Sequence, residues 1–492
     1  MQSDSRFPAP VYAETVLSIN FTDAQRLFLE SLLEIHYAHT LMLARQGIIP
    51  AESARACIEA LHSLDRASLE TCAYDAQFED MFFYVESRLE SLCGAENAGR
   101  MHTARSRNDI DLTMYRMCLR REVLALVEAI HSAKTALRKI AGENVETLIL
   151  AYTHTQPAQP STLAHYFLAI IECFERDEER LTAAFRTINR NPLGACAITT
   201  TGFPIDRDYT AELLGFEGLQ LNSYGAIASS DYVTETAGVV ATAMVNLGRF
   251  VQDLLLWCNP EVGFLKLSGA WVQISSIMPQ KRNPVALEHT RILASKALAG
   301  AQGIFTAVHN TPFGDIVDCE DDLQPLVFST MADAIRAFRL FAGLIVDCEI
   351  NTARLTERAN ADFLTVTELA DTITRREGVG FRAAHRLVSE AVRSLAGQYS
   401  LEGMVRAVEE LGPSVLGRAL TVHGDALLQA LDARNFVAVR RIPGGPAPEA
   451  IRDALAISDE KSRAVEDWIA EKGLLLSSYR QRIQQSALES CL

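Results

Sequence analysis

No stretch of the 492-residue chain is dense in lysine or arginine, and its formal net charge is −16. A protein that grips nucleic-acid phosphates needs a basic face, so that class of partner is excluded. No window approaches the roughly 20 charge-free apolar residues of a membrane helix, which excludes a membrane partner. Residues 1–6, Met-Gln-Ser-Asp-Ser-Arg, lack the basic patch and apolar run of a secretory leader. The ten cysteines (Cys57, Cys72, Cys93, Cys118, Cys173, Cys196, Cys258, Cys319, Cys348 and Cys491) form no CxxC pair. They read as reduced thiols of a cytoplasmic protein, not as a disulfide or metal framework. Internal repeats, low-complexity tracts and disordered linkers are missing as well, and strand signals are few.

What the chain does have is helical periodicity. With 48% hydrophobic and 22% charged residues it sits in the ordinary soluble range. From Tyr232 onward, Val233, Ala237, Val240, Met244, Leu247, Val251 and Leu254 recur at steps of four and three. That heptad seam predicts a long helix packed nearly parallel to its neighbours. Val239, Ala243, Phe250 and Leu255 make the opposite side apolar, which predicts burial in a bundle or a subunit interface, and the interface is the stronger expectation. Further long helices are predicted over residues 111–140, over 161–188 with Ser161 as N-cap, from Pro284 onward, and over 325–346. The fold class is therefore all-α, an elongated central bundle at 111–350. Shorter helices flank it at 1–110, where Gly47 and Pro50 punctuate a junction, and at 351–492, where Pro443-Gly444-Gly445-Pro446 marks a rigid loop.

Three polar segments adjoin the long helices. In the first, His102-Thr103-Ala104-Arg105-Ser106-Arg107-Asn108-Asp109, arginine forks and neutral donors suit a carboxylate clamp, although a solvated helix cap explains the same residues. The second, residues 152–160, is a polar run between two helices. It holds His154, the one side-chain type that titrates unperturbed near neutral pH, though a lone histidine is more often structural. The third is Ser275-Ser276-Ile277-Met278-Pro279-Gln280-Lys281-Arg282-Asn283-Pro284. Its prolines make it a loop feeding a helix, and Lys281 and Asn283 can stabilise negative charge developing on a carboxylate.

Together these segments resemble the signature regions of the fumarase/aspartase superfamily and, within it, argininosuccinate lyase. The resemblance runs over nearly the whole chain and includes residues 367–371, 381–385 and 445–449. It implies a three-domain all-α fold, a tetrameric helical core, and a β-elimination that breaks a carbon–nitrogen bond and releases fumarate. It also implies small-molecule substrates only, with no metal and no organic cofactor. By resemblance Ser275 is the base, activated by backbone N–H groups of its loop, and Lys281 and Asn283 hold the resulting aci-carboxylate. Ser106, Arg107, Asn108, Thr153, Ser276 and Gln280 match substrate-binding positions. His154 matches the family histidine and Glu288 its carboxylate partner, a pairing that fixes the imidazole tautomer. Family members are homotetramers whose sites draw the three segments from three subunits.

The amine half departs from the pattern. Where argininosuccinate lyases carry Tyr, Gln and Lys toward the arginine end, this chain has Asp315, Glu320 and Leu323, and Ser230 stands in place of an arginine. Ile274 replaces the glycine before the serine pair. Losing two cations and gaining carboxylates implies a cationic amine other than arginine, as in ethylenediamine-disuccinate lyase, a relative that removes fumarate from a diamine. Argininosuccinate lyase proper, and a silent structural homologue of the lens-crystallin kind, are the alternatives.

Overall fold

The computed structural model describes residues 7–491; residues 1–6, read above for a leader, and the side chain of Cys491 lie outside that description. In the N-terminal part, α1 (Leu29–Arg45) and α2 (Met81–Cys93) pack around Phe21, Leu33 and Val85. Gly47, at φ +64°, turns the chain out of α1 as a left-handed residue must, and Pro50 opens the next helix.

The bundle comprises α3 (Arg107–Glu143), α4 (Leu163–Ile188), α5 (Asp231–Trp257), α6 (Val285–Val308) and α7 (Gln324–Val346). Val127, Phe167, Leu247, Ala297 and Phe338, one from each helix, are fully buried in a single core. Every residue of the α5 heptad seam is buried, and Val239, Ala243 and Phe250 on the other side are buried with them. Within one chain α4, α6 and α7 pack against this seam, while Val245 and Leu256 on the remaining face of α5 are exposed. By length and composition α5 is also apolar enough to cross a membrane, a feature missed by counting only charge-free runs.

Three other expectations need correction. The cap of α4 is Thr162, whose hydroxyl accepts from His165 N–H, while Ser161 lies in a strand and bonds the His165 ring instead. Residues 152–160 are not a plain loop: β1 (Leu148–Thr153) and β2 (Gln156–Thr162) form an antiparallel hairpin with a bulge at Ala151 and Tyr152. Helices do not simply shorten beyond 351, because α8 (Pro448–Cys491) spans 44 residues. It returns along the bundle, and its Tyr479, Ile483 and Ala487 fill the N-terminal core. Among the described residues, the cysteines that can be assessed are all free.

Helix direction positions everything that follows. Arg116 near the start of α3 donates to the carbonyls of Thr187 and Ile188 at the end of α4, so these two run antiparallel. Phe305 at the end of α6 sits against Gly238 near the start of α5, while Leu255 and Pro284 line one cavity at the opposite end. Tyr115 of α3 bonds Asp321 just before α7. One end of the bundle thus gathers the starts of α3, α5 and α7. The other gathers the β1–β2 hairpin and the loop that precedes α6.

Candidate active site

At the first end, Ser106 caps α3, and its N–H donates to the Asp109 carboxylate at 2.9 Å. Asp109 is fully buried and also accepts from Gly194 N–H at 2.8 Å and Cys196 N–H at 2.9 Å. It therefore ties the first polar segment to a turn at 192–201 that the sequence reading passed over. The signal was there in part: Gly194 sits at φ +90°, where an added Cβ would meet Arg207 Cγ at 2.7 Å, so Pro192-Leu193-Gly194 is a forced turn. Asn108 extends the same tie by donating to Ala197 O at 3.2 Å.

Arg107 is held by Asp80 and, at 3.3 Å, by Glu79, within one chain. Behind it lies a crowd of carboxylates. Asp80, Asp111 and Asp321 line a narrow cavity of about 30 Å³ walled by Phe28, Leu32 and Phe82. Burial pushes the Asp111 carboxyl well above the usual carboxylate range, and the charges of Asp321 and Asp80 add to that. Glu320 is pushed up to about 8 by burial, then by a hydrogen bond and charge from Asp315, and by Asp321. Two of the amine-pocket candidates, Asp315 and Glu320, thus act on each other, and Glu320 also feels the charge of Arg107. Ser230, the third, caps α5 without a side-chain hydrogen bond.

The other candidates lie at the far end. Thr153, His154 and Thr155 form the exposed tip of the hairpin. His154 and Thr155 have φ of +51° and +62°, the left-handed pair of a tight two-residue turn that asparagine and glycine normally occupy. A β-branched residue there is strained, and such strain persists only where surroundings impose it. In the third segment, Gln273 and Ile274 pair with Asn283 and Arg282 as a two-residue ladder closing the loop. Inside the loop, Ser275 Oγ accepts from Met278 N–H at 3.1 Å and Ile277 N–H at 3.4 Å. Ser276, Gln280 and Lys281 are exposed, and Gln280, Lys281 and Asn283 border a cavity of about 800 Å³ beneath the loop. Glu288 follows in the first turn of α6, also exposed. Among the described residues no hydrogen bond joins Glu288 to His154.

Length decides whether these parts can meet in one chain. At 1.5 Å per residue, the 24 residues of α6 separate the loop from the first end by about 36 Å. Ser275 cannot reach a substrate held by Arg107 of its own chain.

The chain matches the lyase family model over residues 22–299 and the argininosuccinate lyase C-terminal model over residues 363–438. It is 41% identical to argininosuccinate lyase 2 of Agrobacterium fabrum, over 94% of this chain and 93% of that one. The chain belongs to the argininosuccinate lyase family. A second relative, argininosuccinate lyase of Methanothermobacter thermautotrophicus, is 36% identical over 88% of this chain and 92% of its own. Among solved structures, EDDS lyase in complex with formate superimposes with a TM-score of 0.87 at 29% identity, covering 98% of this chain and 96% of that one. Class II fumarase from Schistosoma mansoni shares the fold alone, with a TM-score of 0.68 at 16% identity over 87% of this chain and 92% of that one. As a member of the family the protein is a carbon–nitrogen lyase of the fumarate-releasing, all-α fumarase/aspartase kind.

Proposed function

We propose that this lyase cleaves an N-substituted aspartate whose amine is cationic and is not arginine, as in a succinylated diamine. The observation that carries the reading is the carboxylate crowd of Glu320, Asp321, Asp111 and Asp80 around Arg107, with Asp315 beside Glu320. Carboxylates forced together by burial gain most from a cation placed among them. Ser275 removes the proton from the carbon adjacent to the one bearing the amine. The electron pair enters the neighbouring carboxylate as an aci-form held by Lys281 and Asn283, then returns to form the double bond of fumarate. The carbon–nitrogen pair leaves with the amine, which takes up a proton. The two N–H groups aimed at Ser275 Oγ support this role, since a serine alkoxide needs such donors. Ser106, Arg107, Asn108, Thr153, Ser276 and Gln280 bind the succinyl carboxylates, and Glu288 orients His154.

Because the two ends of one chain lie about 36 Å apart, a working site needs neighbouring subunits, and we assign the assembly as a homotetramer with shared sites. We place it in the cytoplasm, where free thiols persist. The second reading, argininosuccinate itself as substrate, rests on the relative at 41% identity.

The test is fumarate release, followed by ultraviolet absorbance, from ethylenediamine-disuccinate and from argininosuccinate, with Ser275→Ala as control. Release from the diamine adduct, lost by a factor of at least about 1,000 in the control, is expected. Rapid release from argininosuccinate alone would overturn the cationic-pocket reading in favour of the second.

A further inference from the structure

Arg105, two residues before Arg107, has no exposed side-chain surface and is not free to touch substrate. One of its nitrogens donates to His36 Nδ1 at 2.7 Å and another to Glu86 Oε1 at 3.2 Å. Its guanidinium also lies 5.8 Å from the Phe82 ring centroid. His102 Nδ1 donates to the same Glu86 oxygen at 3.0 Å, and His39 Nε2 donates to Thr103 O at 2.8 Å. Helices α1 and α2 thus grip residues 102–105 at four points. The grip holds Ala104 at φ +61°, a left-handed backbone that a non-glycine residue keeps only under constraint.

Arginine has no lone pair to offer, so a bond between it and an imidazole nitrogen needs that nitrogen bare. His36 must carry its one proton on Nε2, which is buried without a partner. We infer that His36, held neutral with Nδ1 unprotonated, is a positioning residue: it fixes Arg105 and so aims Ser106, Arg107 and Asn108 at the substrate carboxylates. The inference rests on the reading of those three residues as carboxylate binders. Burial and the charge of Arg105, with smaller contributions from His39 and His102, hold the His36 imidazolium well below its usual range. Glu86 faces Arg105 and His102, and the buried Asp109 carboxyl also acts on Arg105.

The test compares His36→Leu, which removes the acceptor, with His36→Asn, whose side-chain oxygen can replace it. Folding and assembly are checked by circular dichroism and sedimentation. In folded His36→Leu, KM for the adduct and the inhibition constant of fumarate should rise about tenfold to a hundredfold with kcat little changed, and His36→Asn should restore most of the loss. Unchanged constants in His36→Leu, or equal damage in both variants, would overturn the inference. A second readout needs no variant: nitrogen-15 spectra of histidine-labelled wild type should show an unprotonated Nδ1 on His36 at neutral pH, and a charged ring there sinks the proposal. That readout holds whichever amine the enzyme takes, whereas failure of wild-type turnover on both adducts counts against the function alone.

Discussion

Two buried polar clusters flank the start of α3 and solve the same electrostatic problem in opposite ways. In the Arg105 cluster, one cation meets Glu86 and the charge of the buried Asp109, and imidazoles supply further polar partners. In the cluster behind Arg107, one guanidinium faces Asp80, Glu79, Asp111, Glu320 and Asp321. A cluster whose charges are matched fixes geometry through the hydrogen bonds it makes. Unbalanced ones store a preference for a missing charge, which protons satisfy in part and a cationic ligand satisfies better. On the proposed function, the contrast separates residues that shape the site from residues that read the substrate.

The largest effect that would sharpen this contrast is on stability. Arg105→Met leaves the Glu86 carboxylate without its buried cation, and breaking such a pair costs about 3–5 kcal/mol. Urea denaturation should show that loss, whereas Asp111→Asn, which removes a carboxylate from the crowded side, should leave stability unchanged or raise it. If Arg105→Met unfolds at the wild-type urea concentration, the two clusters do not differ as described.

A smaller effect is expected on binding. Glu320 is protonated below about pH 8, and a cationic amine beside it favours the ionised form. KM for a cationic adduct should therefore fall as pH rises from 6 to 8. Glu320→Gln should flatten that dependence and raise KM at pH 8 about tenfold, with fumarate inhibition unaltered. A KM that ignores both pH and the variant would remove Glu320 from the amine pocket.

A third effect is the pH dependence of stability, where the clusters carry opposite signs. A carboxyl raised to about 8, as in Glu320, takes up its proton in the folded state first. Its contribution therefore grows as pH falls from about 8 toward the unfolded value near 4.5. A histidine depressed to about 3, as His39 is by burial and Arg105, refuses a proton that the unfolded chain accepts. Its contribution is lost as pH falls below about 6.5, at about 1.4 kcal/mol per pH unit. The stability difference between wild type and Glu320→Gln should thus change between pH 8 and 5, and the histidine loss below about 6.5 should be steeper in the variant, which lacks the offsetting Glu320 gain. Measurement is by denaturant midpoint across pH.

Much of this was legible in the chain itself, for physical reasons that can be named. The α5 seam from Val233 to Leu254 announces a helix because steps of four and three have no other regular meaning. Ser275 to Pro284 announces a loop because two prolines forbid a helix through it. The hairpin at 148–162 hid because Pro157 and Pro160 demote a strand and its turn uses His154-Thr155 in place of asparagine and glycine. Helix α8 hid because its buried Tyr479, Ile483 and Ala487 are thin among charged neighbours. The carboxylate crowd was half visible: Asp315 and Glu320 stood out as departures, but Asp80 and Asp111 lie some 200 residues away in sequence from the loop they join. His36 gave no signal at all, since nothing in a helix of mixed apolar and polar residues marks which imidazole will meet an arginine.

On the proposed roles, the 24-residue run of α6 keeps recognition of the departing group and the chemistry of proton removal at opposite poles of each polypeptide. On that proposal, substitutions at 315–323 would alter which amine is welcome without passing through the loop that holds Ser275. A family built this way can acquire new leaving groups piecemeal, one pole exploring while the other is inherited intact.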